Sequence, residues 1–298
     1  FLIGCSNNDD NDTGSNNKNV EIQLNGAVQS TSNANARPIN SNFSTDFSIG
    51  VYANNGAWLA GTNWINNDNA TVSGTGAHSV AFAGGPYYYP SDGSVLNFYA
   101  YAPHGTESTA AGAGTSPVIT QTITGQEDVM WASATGNKVG SAAAVNPVLN
   151  FQHKLTQLQF TFKSGTGYPV SGNKVVSLVV KAQPTTVAMT VATGVCVFSG
   201  SADMQALSAN DQTNGLSITT AGTNANSPVM TNVGTTYTLD VVVKPATGSS
   251  NVTYTGIPVN LTTVVGSAHM ITLTFSNTEI TATATVADWV TGSGGNAT

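Results

Sequence analysis

From residue 20 onward the apolar side chains of this chain recur at every second position, in short runs that clusters of Gly, Asn and Pro interrupt. VEIQLNG places Val20, Ile22 and Leu24 on one face. FSIGVYA at 47–53, HSVAFA at 78–83, VLNFYAY at 95–101, VITQTI at 118–123, LQFTF at 158–162 and VVSLVV at 175–180 repeat the pattern. So do TYTLDVVV at 236–243, HMITLTF at 269–275 and EITATATV at 279–286. A period of two is the side-chain alternation of a strand, and no stretch of 12 residues shows the 3.6 period of an amphipathic helix. Many short strands separated by turn residues predict an all-β chain of antiparallel sandwiches. Composition points the same way. Charged residues make up only 8% of the chain, against about a quarter in ordinary domains, so the Glu/Lys pairs that support helix surfaces are missing. At 298 residues the chain is long for one sandwich and suits two in tandem. The Gly- and Pro-bearing stretch KSGTGYPVSGN at 163–173 marks the expected boundary, giving domains over 20–165 and 166–298.

The same composition excludes several functions. The formal net charge is −7 and Lys plus Arg number 8, which leaves no basic patch for nucleic acid. No run of about 20 apolar residues is present to cross a bilayer as a helix. His78, His104, His153 and His269 lack zinc-protease spacing, and there is no CxxC motif, nucleophile elbow or phosphate-binding glycine loop. Glu127 and Asp128 are adjacent, so on a strand they point to opposite faces and make a poor acid/base pair. No catalytic residue, metal site or cofactor is expected. His153 and His269 lie in strand runs and read as hydrogen-bonded structural histidines. Cys196, inside VATGVCVFSG, reads as a small buried hydrophobe, with a Cys5–Cys196 disulfide as the alternative.

The first residues, FLIGCSNNDDND, combine two signals. LIGC resembles a bacterial lipobox: an apolar residue, a small residue, then the cysteine. Residues 1–5 are therefore expected to be the end of a signal peptide, with Cys5 the lipidated residue. Residues 6–19 carry no core-forming side chain and read as a disordered tether. Asp9, Asp10 and Asp12 resemble the acidic export signal of surface lipoproteins of Bacteroidetes. A calcium loop is the rival reading of DDNDTG, but the closing Glu of an EF-hand is absent.

Several stretches in order, behind that lipobox, are similar to one family. They are SIGVYA at 48–53, NFYAYAPH at 97–104, EDVMWA at 127–132, FQHKLTQLQFTF at 151–162 and ADWVTG at 287–292. Together they resemble the fimbrillin family of Bacteroidetes, the subunits of type V pili. The resemblance implies two transthyretin-like β-sandwich domains, export as a lipoprotein, and a place on the cell surface in an extracellular fimbrium. It implies as partners other pilin subunits, as a homopolymer or with tip and anchor subunits, and the outer membrane through the precursor's lipid. It also implies an arginine-directed protease that removes the first strand, so that a strand of another subunit fills the groove. The removable strand would be 20–30, with Val20, Ile22 and Leu24 setting the register. The cut would fall at Arg37, the one arginine of the chain, in the linker after that strand. Pro38 follows it and disfavours cleavage.

A glycan-binding surface lipoprotein is the alternative. Trp58, Trp64 and the run Tyr87–Tyr88–Tyr89 lie in polar, loop-like stretches, and exposed aromatic faces stack on sugars. Trp58, Trp64 and Tyr88 would then be the contacts. Trp131 and Trp289 read as core.

Overall fold

The computed structural model describes residues 19–30, 39–41, 45–61, 63–143, 145–169, 172–247, 250–277 and 279–289. The first half lays down β1 (Asn25–Ser30), β2 (Ile39–Ser41), β3 (Phe47–Asn54), β4 (Ile65–Val72), β5 (Val80–Ala81), β6 (Leu96–Ala102), β7 (Thr106–Thr109), β8 (Val118–Thr122), β9 (Met130–Gly136), β10 (Lys138–Val139), β11 (Ala142–Ala143) and β12 (Val148–His153). The second half adds β13 (Thr156–Ser164), β14 (Lys174–Gln183), β15 (Thr186–Thr190), β16 (Val195–Ser199), β17 (Ala202–Gln205), β18 (Leu216–Ser217), β19 (Thr223–Asn224), β20 (Val229–Thr231), β21 (Thr236–Lys244), β22 (Val252–Asn260), β23 (Ala268–Phe275) and β24 (Ile280–Ala287). The one helix among the described residues, α1 (Ala209–Asn214), is a short turn capped by the Ser208 hydroxyl, which accepts from Asp211 N–H at 3.1 Å. The chain is all-β, as the alternation and the missing charge predict.

Eight strands form one sheet in the order β2-β1-β12-β9-β6-β3-β4-β5. Its two ends are brought together by residues 20–30. On one flank β1 pairs with β12; on the other, Val80 N–H donates to Leu24 O at 2.9 Å and Gly26 N–H to His78 O at 2.8 Å. The sheet therefore curls until one segment bonds both β12 and the β5 region, with the short β2 paired outside Val28–Ser30. Inside lie Ile22, Leu24, Ile49, Val51, Phe98, Leu149 and Phe151.

In the second half, β13 pairs with β19, β20 and β23, and β23 with β24. A second sheet joins β17 and β18 to β14, then β21 and β22. Leu158, Phe160 and Phe162 of the first sheet and Leu178, Val180, Leu239 and Val241 of the second share one buried cluster. That is the packing of a β-sandwich. A fourth sheet, β16-β15-β8-β7, draws one hairpin from each half of the sequence.

This shared sheet explains why β3 is buried on both faces. Ile49, Val51 and Ala53 point into the first cluster, while Tyr52, on the opposite face, belongs to the second. β6 divides in the same way, with Phe98 and Ala100 in the first and Tyr101 in the second. Tyr52 Oη donates to Glu107 of β7, fastening the crossing hairpin to the sheet below it.

Strand pairing adds detail that alternation does not carry. Sheet membership changes between β12 and β13, since Thr156–Ser164 pairs along its length with β23. Residues 165–169 turn the chain away after β13. Two pairs depart from the antiparallel pattern: β1 runs parallel to β12, and β13 parallel to β23. Alternation carries no information about strand direction, and a long intervening chain is what permits a parallel pair. One expectation fails, the hydrogen bonding of His269 on β23. It is buried, and neither ring nitrogen has a hydrogen-bond partner. Desolvation pushes its imidazole below the ordinary histidine value.

Gly50 is required where β3 lies under Tyr101. A Cβ there would sit 2.2 Å from the Tyr101 ring, which the second cluster holds in place. Gly50→Ala should cost about 1–3 kcal/mol. Denaturant unfolding that leaves the midpoint unchanged would contradict this packing. His269 sets a second expectation. Its folded-state pKa is lowered, so the unfolded chain binds the proton more tightly below about pH 6.5. Stability should therefore fall as pH drops from 7 towards 5, and His269→Leu should flatten that part of the profile. A profile of the same slope in the variant would refute it.

Candidate functional site

Residues 20–30 and the slot that receives them form the candidate site. Val20, Ile22 and Leu24 are 9%, 2% and 1% exposed, whereas Glu21 and Gln23 face solvent. Val28 extends the buried face beyond Gly26. Fully burying a side chain of this type contributes about 1.5–3 kcal/mol.

The backbone is engaged on both flanks. On the first, Ile22 N–H donates to Tyr87 O at 2.8 Å and Tyr89 N–H donates to Val20 O at 2.9 Å, ahead of the two bonds to the β5 region. On the second, Asn25 to Gln29 lie opposite Val148 to Gln152 in register, and Asn25 N–H donates to Pro147 O at 3.0 Å. A cavity of about 630 Å³ opens beside residues 21–25, against Ser79–Phe82 and Pro86.

The lip formed by residues 82–89 is held by one carboxylate. Asp68, on β4 and largely buried, accepts from Ala83 N–H at 2.9 Å, Gly84 N–H at 2.7 Å and Tyr87 Oη at 2.8 Å. Burial and the bond to Asp68 push the Tyr87 phenol up to about 12, so it stays a donor. Phe82 packs edge-on against the Tyr87 ring at 5.3 Å. Trp64 Nε1–H donates to Tyr88 O at 2.7 Å and pins the same lip from outside.

The structure brings Val20, Ile22 and Leu24 together as the inner face of one segment, as the alternation predicts. Cys5 and Arg37 lie outside the described residues, as does most of the 6–19 tether. The aromatic trio separates. Trp58 is only 8% exposed and packs on Tyr99 and Tyr52, with ring centroids 5.1 and 5.8 Å away, so its faces are unavailable to a sugar. Trp64 and Tyr88 are exposed but serve the lip. Trp131 and Trp289 pack against the second cluster, and Trp289 stacks on His153 at 4.0 Å. His153 Nδ1 bonds Asp128 Oδ1 at 2.8 Å, while its buried Nε2 has no partner. Cys196 is half-buried and free, and burial pushes its thiol up to about 11. Among the described residues no group of three or more His, Cys, Asp or Glu is placed to hold a metal ion. Sequence reasoning missed Asp68, Val72 and β4 altogether, because INNDNATV reads as a polar loop. Its only signal is the alternation of Ile65, Asp68, Ala70 and Val72 around one irregular step.

A family model described as fimbrillin-like matches residues 33–289. No protein of curated function matches the sequence. Among solved structures, a candidate cell adhesion protein of Bacteroides uniformis is 21% identical, over 91% of this chain and 98% of its own, with a TM-score of 0.59. A candidate cell adhesion protein of Bacteroides ovatus is 18% identical, over 92% of this chain and 98% of its own, with a TM-score of 0.56. At these identities the likeness is one of fold.

If Asp68 holds the lip, Asp68→Asn should loosen it, since an amide nitrogen would face donors the carboxylate now accepts from. Losing charge-assisted bonds of this kind costs about 1–3 kcal/mol. Amide exchange at Ile22 and Tyr89 should speed up more than exchange in β21. Equal protection in variant and wild type would rule this role out.

Proposed function

The chain belongs to the fimbrillin-like family, and from that premise we propose that it is a structural subunit of a surface fimbria, assembled by exchange of its first strand. The observation that carries this reading is the slot of residues 20–30. One segment with an alternating apolar face closes the sheet, bonded on both flanks to strands distant in sequence. Removing it would open two edges and a hydrophobic trough at once. A strand of another subunit, laid along both flanks, would restore the backbone bonds and the core together. While the native strand stays in place the trough is filled, which protects the precursor from edge-to-edge aggregation.

In this reading Cys5 carries lipid and holds the precursor at the outer membrane, with residues 6–19 as tether. Several acyl chains are needed for firm anchoring, since each buried CH₂ contributes about 0.8 kcal/mol. An arginine-directed protease then cuts at Arg37, in the chain between β1 and β2. Pro38 slows that step, because proline restricts the backbone at the scissile position. The freed slot accepts a strand from another copy, or from a tip or anchor subunit, and the polymer serves adhesion.

Cells making only Arg37→Ala should lack surface multimers that survive detergent without heating, and the variant should accumulate as precursor in the membrane fraction. Normal polymer, with residues 20–36 still attached to every subunit, would show that strand release at Arg37 is not the mechanism.

A further inference from the structure

The slot has one position that admits no side chain. At Gly26, opposite Leu149 in the parallel pair with β12, a Cβ would lie 2.6 Å from Val72 Cγ1 and 3.4 Å from Cγ2. The backbone at Gly26 is extended, so glycine is not there for its conformational freedom. It is there because Val72 occupies the space. Val72 cannot easily give way. It is fully buried, its β-branched side chain has one favoured rotamer, and its backbone is paired to Phe47 on one side and Val80 on the other. On either side of Gly26 the pattern changes: Leu24 and Val28 are large and buried. The inner face of the slot therefore reads apolar, apolar, apolar, none, apolar, at every second residue from 20 to 28.

We propose that Val72 is the specificity-determining residue of the slot, and that the strand replacing β1 must carry glycine at the position Gly26 now fills. This rests on the strand-exchange reading and deepens it, since it names the kind of partner the slot takes. The occupant is an extended segment of another subunit with three alternating apolar residues, then glycine, then a further apolar residue. A segment shifted by two residues would bring a Leu- or Val-sized side chain against Val72, and one shifted by one would turn its apolar face to solvent. The glycine thus locks the register at two-residue resolution, which alternation alone cannot do. None of the strands β3 to β24 of this chain carries that spacing of residues, so the rule excludes the subunit's own strands and the same strands of a second copy, and the donor it selects is a subunit of different sequence.

The test uses the full chain with a site-specific protease sequence placed between β1 and β2. After cleavage, labelled peptides of residues 19–30 are offered in mild urea, and incorporation is followed on native gels. The native peptide should enter. A peptide with Gly26→Val should enter at least about tenfold less. An acceptor bearing Val72→Ala should narrow that gap. In the uncut chain, Val72→Ala should likewise recover part of the melting temperature lost in Gly26→Ala. Equal entry of both peptides into the unaltered slot would overturn the glycine rule and leave strand exchange standing. Failure of every peptide to enter would overturn the exchange reading, and the rule with it. Strictly additive losses in the uncut chain would show that Gly26 and Val72 do not clash, and would also overturn the rule.

Discussion

The first half of this protein depends on the two-sided hydrogen bonding of residues 20–30. Without that segment, the six strands from β12 to β5 would expose unpaired N–H and C=O groups along both outer strands. One segment satisfies both, bonding the 78–89 region through residues 20–26 and β12 through residues 25–29. Its inner side chains complete the core that β3, β6, β9 and β12 enclose. Closure of the backbone and closure of the core are thus one event, which is why a single segment can act as a stopper.

The lip and the slot divide the work of holding it. Asp68 accepts from three donors of the 83–87 turn, which aims the loop carbonyl and amide that meet Ile22 and Val20. Under the proposed strand exchange, preorganisation of that kind would lower the ordering cost of the incoming strand. The other half of the chain is coupled to the slot through packing. β3 and β6 lend one face to each core, and the β16-β15-β8-β7 sheet ties a hairpin from each half together. β12 also runs into β13 with only Lys154 and Leu155 between them.

Much was legible locally. Alternation located β3, β6, β8, β13, β14, β21, β23 and β24 to within a few residues, because burial on one face repeats along a strand. It also identified Val20, Ile22 and Leu24 as an inward face. β4 and β22 escaped notice because Asn and Thr recur at their outward positions, and because the buried Asp68 in β4 and Gly256 in β22 interrupt the apolar rhythm. The exposed look of Trp58 misled for a related reason: its neighbours in sequence are polar, while its neighbours in space are Tyr52 and Tyr99.

By itself the sequence determined that the chain is built of strands, and that residues 20–28 carry one buried face. Both follow from side-chain period and composition, which act over a few residues. Only the tertiary structure decided which strands meet, that β1 and β13 run parallel to β12 and β23, and that the sheets divide before β13. It alone showed that glycine stands at position 26 because of Val72, 46 positions away in the chain. Strand pairing and steric exclusion join residues far apart in sequence, and no local pattern records which partner a strand will find.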